Sequence, residues 1–118
     1  MIEEATARQI LDRAMTEAQL QDSVIEMARA FQWMVAHFRP AMTDQGWRTA
    51  VQGDGAGFPD LVLVRATRAI FAELKSEKGR VSPAQEAWLD RLRAVPGIEV
   101  YVWRPTDWSS GEVEEVLR

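Results

Sequence analysis

A chain of 118 residues, 47% hydrophobic and 27% charged with a net charge of −4, has the size of one domain with one core, and its acidic balance gives no direct sign of a nucleic-acid partner. It has no cysteine and a single histidine, His37, which excludes disulfides, zinc–thiolate centres, a thiol nucleophile and a multi-histidine metal site within one chain; a metal held here is held mainly by oxygen, which suits magnesium, manganese or calcium. No apolar run approaches the roughly 20 residues of a membrane helix, and Met1-Ile2-Glu3-Glu4 lacks the basic and apolar regions of a signal peptide, so the expectation is a cytoplasmic protein with no membrane partner.

Residues 3–14 read as a short helix with Ile10, Leu11 and Ala14 on one side. Thr16 and Gln19 have the capping-box spacing, and Leu20, Val24, Met27 and Phe31 then recur at helical spacing, supported by Ile25 and Ala28. Trp33 to Phe38 alternates as a strand, with Met34, Ala36 and Phe38 on one face and Trp33, Val35 and His37 on the other. Pro40 to Phe58, containing Gly46, Gly53, Gly55 and Gly57, reads as a long loop, which in a small domain is usually functional or disordered. Leu61-Val62-Leu63-Val64 is an unbroken apolar run, as expected for a strand buried on both faces. A turn at Ala66-Thr67 or a neighbouring pair returns the chain along Ile70–Leu74, and Lys75–Arg80 follows as a polar loop.

Ser82-Pro83-Ala84-Gln85 opens a helix with an N-cap, a proline at the first helical position and a capping-box Gln at the third. Trp88, Leu89, Leu92 and Val95 form its stripe, Pro96-Gly97 stops it, Ile98–Trp103 is another strand, and a short acidic tail follows Pro105. A helix joining two strands gives a parallel pair with a right-handed crossover. The expected fold is therefore α/β, an αβββαβ order forming a mixed sheet flanked by helices. One domain covers residues 1–118, with a core of about 16–108 and a helical segment over 2–14.

The chemistry concentrates on the central hairpin. A two-residue turn at Ala66-Thr67 places Asp60 opposite Glu73, and Glu73 and Lys75 are two apart, so all three share one face while Ile70, Ala72 and Leu74 take the other. Two carboxylates at adjacent strand positions can hold a divalent cation, which activates water and offsets charge on a phosphate; a lysine beside them can orient or deprotonate the water, or stabilise the charged phosphorus centre. That is equipment for phosphodiester hydrolysis. On spacing alone an ordinary hairpin with a Glu–Lys pair and a turn-capping Asp accounts for the pattern equally well. Charge placement leaves room for the first reading: residues 1–30 hold three basic and six acidic groups and 105–118 hold one and four, whereas 31–104 hold ten and eight, net +2.

Three blocks in series, Gly57-Phe58-Pro59-Asp60, Phe71-Ala72-Glu73-Leu74-Lys75-Ser76-Glu77-Lys78-Gly79-Arg80 and Ser82-Pro83-Ala84-Gln85-Glu86-Ala87-Trp88-Leu89, resemble the VRR-NUC family, the virus-type replication-repair nuclease branch of the PD-(D/E)XK superfamily. The similarity runs from about Thr16 to Trp108. It implies a restriction-endonuclease-like core and dependence on magnesium or manganese. Carried over motif by motif, it implies Asp60 and Glu73 as metal ligands, the Leu74 carbonyl as a further ligand, Lys75 as the catalytic lysine and Gln85 as part of the site. Glu17, at the start of the first core helix, matches an acid that often completes such sites. Stand-alone members of this size resemble Holliday-junction resolvases and tend to act as dimers, which implies branched DNA as partner and a homodimer.

Each supporting residue also has a plainer role. Gln85 could only complete its capping box, and Glu17 could only favour the helix dipole. His37 and Arg39, on one face at a strand end, are phosphate contacts or structural groups. Lys78 and Arg80 are substrate-backbone contacts or a solvated loop. Gly53 to Gly57 precedes a strand rather than a helix, so it is an approach to the site and not a nucleotide-cradling loop. The tryptophans are core or interface before they are base-stacking groups. With the apolar positions of 2–15, any exposed ones are candidates for a dimer interface. Beside junction resolution stand a duplex or flap nuclease with the same chemistry, a non-catalytic nucleic-acid-binding domain and an acidic protein-interaction module.

Overall fold

The computed structural model describes residues 5–38, 41–43, 46–48 and 52–118. Its helices are α1 (Ala7–Ala14), α2 (Glu17–Ala30), α3 (Pro83–Arg93), α4 (Pro105–Ser109) and α5 (Glu112–Leu117); its strands are β1 (Met34–His37), β2 (Ala41–Thr43), β3 (Gly46–Arg48), β4 (Leu61–Arg65), β5 (Arg68–Leu74) and β6 (Glu99–Trp103). The expectation placed on Arg39 falls outside the described residues.

The helix starts follow from local chemistry. Thr6 with Gln9, Thr16 with Gln19 and Ser82 with Gln85 each form a reciprocal capping box that satisfies two backbone N–H groups otherwise orphaned at a helix start. β4 and β5 form a hairpin whose last pair is Arg65 with Arg68, leaving Ala66-Thr67 as the turn, with Ala66 at φ +52°. Positive φ is what a two-residue hairpin turn asks of its first central residue. The main sheet has the order β1-β4-β5-β6, antiparallel except for the β5–β6 pair. It is the mixed α/β architecture expected, with the parallel pair joined through α3.

Leu61, Leu63, Ile70, Ala72 and Leu74 on one sheet face join Leu20, Val24 and Ala28 of α2 and Val113 and Leu117 of α5 in one core. Fully burying each leucine, isoleucine or valine among them contributes about 1.5–3 kcal/mol. On the other face Phe58 meets Phe38, Phe71 and Trp88 edge-on at centroid distances of 5.2, 6.3 and 5.0 Å, so α3 and the approach loop cover β5. That cover stops short of β1, and Met34 and Val64, paired across β1 and β4, are exposed. The apolar run of β4 is thus not buried on both faces along its whole length.

Four further expectations need correction. The long loop from Pro40 contains the antiparallel β2–β3 ribbon. The acidic tail is a structural part of the domain: Val113 and Leu117, four apart on α5, are fully buried, and the Leu117 carbonyl accepts from Trp33 Nε1 and Arg65 Nη1, both at 2.9 Å. In α1 the residue turned inward is Asp12, which accepts from Ser109 Oγ at 3.0 Å, while Ile10 and Leu11 face solvent. Trp33 and Trp103 are buried and Trp88 and Trp108 half-buried, so none of these four is an exposed interface group, and the Trp47 side chain lies outside the described residues. Among the described residues no helix is long and apolar enough to cross a membrane.

Candidate active site

The site lies at the open end of the β4–β5 hairpin, where the register that pairs Leu61 with Ala72 sets Asp60 beside Glu73. Asp60 Oδ2 accepts the Leu74 backbone N–H at 2.8 Å, which fixes that carboxylate with one oxygen engaged, and the Asp60 carbonyl accepts the Phe38 N–H at 3.2 Å. Glu73 is 1% exposed; its Oε1 accepts from Gln85 Nε2 at 3.0 Å and lies 3.9 Å from Lys75 Nζ. Among the described residues Glu73 Oε2 is buried with no hydrogen-bond partner. Burial first, then the neighbouring Asp60 carboxylate, push the Glu73 carboxyl up to about 9, with Lys75 pulling the other way. Two ionised carboxylates cannot hydrogen-bond each other; a shared proton or a shared cation resolves the contact.

Gln85 combines the two roles that the sequence posed as alternatives. Its Oε1 accepts the Ser82 N–H at 2.9 Å as the capping box demands, while its Nε2 reaches Glu73. The helix is seated by Gly57: at φ +83°, a Cβ there would stand 2.4 Å from the Ala84 carbonyl carbon, so only glycine lets the approach loop lie against the start of α3. Trp88 Nε1 donates to the Asp54 carbonyl at 2.8 Å and ties the same loop to the next turn.

Lys75 is 9% exposed, and its backbone N–H donates to the Trp103 carbonyl at 3.0 Å. The loop behind it is tied down by Arg104, which sequence reading did not single out. Arg104 Nη1 donates to the carbonyls of Ser76, Glu77 and Gly79 at 2.8, 3.3 and 2.7 Å. Glu77 accepts from the Thr106 backbone N–H at 3.2 Å and from the Thr106 hydroxyl. The only hint in the sequence is position, an arginine at the end of the last strand just before a proline.

Four further predicted residues are among those described. Glu17 begins α2 and is exposed; partial desolvation raises its carboxyl, Lys75 opposes that and Asp60 adds to it, so both groups act on it electrostatically. His37 is half-buried, its Nδ1 3.5 Å from Gln21 Nε2. Lys78 and Arg80 are exposed. Among the described residues no group of three His, Cys, Asp or Glu stands ready to hold an ion, so side-chain ligation rests first on the Asp60–Glu73 pair. The pair fits a hard cation: both donors are oxygens, one of them is buried without a partner, and their mutual repulsion is what a divalent charge relieves.

Compared with known protein families, the chain matches the model of the VRR-NUC domain over residues 2–106. No curated protein matches it.

Proposed function

Because the chain belongs to the VRR-NUC family and is a nuclease domain with DNA as its implied substrate, we propose that it is a magnesium- or manganese-dependent endonuclease that cuts branched DNA in the manner of a Holliday-junction resolvase, working as a homodimer. The observation that carries the chemistry is the buried Glu73 carboxylate beside Asp60, with one oxygen unpartnered among the described residues and Lys75 Nζ 3.9 Å from the other.

Asp60 and Glu73, with the Leu74 carbonyl, are the ligands this reading assigns, and Glu17 is a further carboxylate at the rim. When bound, a divalent ion supplies an activated water and charge neutralisation on the phosphate. The chain's own residues do the rest. The Leu74 N–H holds Asp60 Oδ2 and Gln85 holds Glu73 Oε1, so each carboxylate is oriented by one of its oxygens. Lys75 presents a cation to the attacking water or to the phosphate oxygen that gains charge. Lys78, Arg80, His37 and Arg39 are the groups this reading gives to the DNA backbone, where contacts position rather than specify. Two sites related by a two-fold axis suit paired cuts in a four-way junction.

The test is incubation with labelled four-way junction, flap and linear duplex DNA, with magnesium and with excess EDTA. Junction cleavage that needs the metal supports the proposal. Cleavage undiminished by EDTA overturns the metal assignment, and cutting of flap or linear duplex in preference to the junction overturns the substrate.

A further inference from the structure

Lys75 sits at the end of β5, where a long flexible side chain would ordinarily reach into water, yet it is 9% exposed. The loop that follows lies against its stem. Around Gly79 the chain folds back so closely that a Cβ there would stand 3.6 Å from Lys75 Cδ and 2.8 Å from Ser76 Oγ. The loop's own tie is slight, a single turn bond from the Gly79 N–H to the Ser76 carbonyl at 3.2 Å. Two contacts with the neighbouring strand end hold it: Arg104 Nη1 meets the carbonyls of Ser76, Glu77 and Gly79, and the Glu77 carboxylate accepts from the Thr106 N–H and hydroxyl. Hydrogen bonds with a charged donor are the strong kind, and three carbonyls converging on one cation fix the curve of the backbone itself, which the Glu77 side-chain contact reaches at one residue only.

We propose that Arg104 is a positioning residue: by clamping the Ser76, Glu77 and Gly79 carbonyls it keeps the 76–80 loop folded over the Lys75 stem and so sets where the Lys75 ammonium stands relative to Glu73. The proposal rests on the reading of Lys75 as catalytic for its consequence in turnover, but not for the clamp itself. Losing the Arg104 side chain spares the start of α4, because there the Arg104 backbone N–H donates to Asp107 Oδ2 at 2.7 Å.

The chain has two lysines, Lys75 and Lys78, one covered and one exposed, so amine acetylation read by mass spectrometry reports the clamp without reference to activity. In metal-free protein with a normal melting transition, Arg104→Met should raise the acetylation rate of Lys75 about fivefold or more and leave Lys78 unchanged. On DNA, kcat should fall about tenfold or more with KM within about threefold, since loosened Lys78 and Arg80 still attract phosphate. Arg104→Lys, which keeps the charge and three donors, should restore part of both. It also serves as the test if Arg104→Met does not fold, with slower turnover and intermediate Lys75 labelling expected. Unchanged Lys75 labelling in a folded variant overturns the clamp. Faster labelling with unchanged kcat overturns the positioning role. Failure of the catalytic reading shows separately, as a Lys75→Met protein that cuts at the wild-type rate.

Discussion

At the hairpin-turn end of the sheet, Arg68 donates to both oxygens of Glu99 at 2.8 and 2.7 Å, Tyr101 Oη donates to the same carboxylate at 2.8 Å, and Arg65 and Arg68 lie over the Trp33 ring at 4.5 and 4.9 Å. The bond from Arg68 holds the Glu99 carboxyl below its ordinary range, and Tyr101 is pushed up to about 12, by burial first and then by Glu99. Farther along β5, Glu73 is in the opposite condition: more deeply buried, beside a second carboxylate, and pushed up to about 9. One end of the strand satisfies its charges locally and gains rigidity. The other leaves a buried carboxylate oxygen short of partners among the described residues, which costs stability and is the condition the proposed cation would relieve. The same strand therefore holds a structural ion pair at one end and a poorly satisfied carboxylate pair at the other, and what separates them is the supply of donors.

The largest effects are expected at the unsatisfied end, beginning with removal of its lysine. Lys75→Met should fold and bind DNA, because other basic groups supply most of the attraction, yet cleavage should fall by roughly two orders of magnitude or more. Wild-type turnover in a folded Lys75→Met protein would falsify the assignment. Glu73→Gln should abolish measurable cleavage while raising metal-free stability at pH 8 by roughly 1–3 kcal/mol, because a Gln can accept from Gln85 and donate to Asp60. The sign follows from linkage. The Glu73 pKa is raised from 4.5 to about 9, so its contribution is full below about 4.5 and lost as pH climbs toward 9. In chelator, the gap in melting temperature between Glu73→Gln and wild type should widen from pH 5.5 to pH 8; a gap independent of pH would refute the buried, repelled charge of Glu73 as its origin.

Gln85→Ala should lose about tenfold in turnover through its bond to Glu73, and about 0.5–1 kcal/mol of stability through the lost half of the capping box. Cleavage rates and thermal melts on one sample separate the two, and normal turnover would leave only the cap. The smallest effect belongs to the satisfied end. Arg68→Met should cost about 1 kcal/mol or less, since the Arg68–Glu99 pair is about one-third exposed and screened, and cleavage should stay near normal. That loss should fade in acid, because the contribution of Glu99 is present above the ordinary carboxylate range and lost as pH falls through its lowered folded value. A large drop in turnover would show that the two ends are not independent.

How much of this was legible depended on the range over which each feature is set. The hairpin register, the Asp60–Glu73 juxtaposition and the capping boxes of α2 and α3 are fixed by residues within a few positions or across a two-residue turn, and the sequence displays them. The two bonds of Gln85 run to opposite ends of one amide, so a pattern that weighed cap against site missed that both hold. The tail misled because Glu112, Glu114 and Glu115 dominate its composition, while only Val113 and Leu117 decide where α5 packs. α1 misled in the reverse sense, its apolar Ile10 and Leu11 lying outward while Asp12 meets Ser109. Arg104 touches backbone carbonyls 25 to 28 positions away, and no spacing rule connects a guanidinium to atoms that every residue has.

The two-residue turn at Ala66-Thr67 also bears on the order in which the molecule assembles. β4 and β5 meet across the shortest of loops, whereas β6 reaches β5 only across the length of α3 and its flanking segments, and α5 closes the core from still farther along the chain. Closure entropy grows with the length of chain spanned, so the hairpin is the least expensive long contact to nucleate. Asp60 and Glu73 would come together early and Arg104 arrive late, so a refolding chain passes through a stage with its two acids adjacent before the lysine is seated. Folding kinetics should then show high φ-values for Leu63→Ala and Ile70→Val and low ones for Leu117→Ala, and the reverse pattern would place nucleation elsewhere.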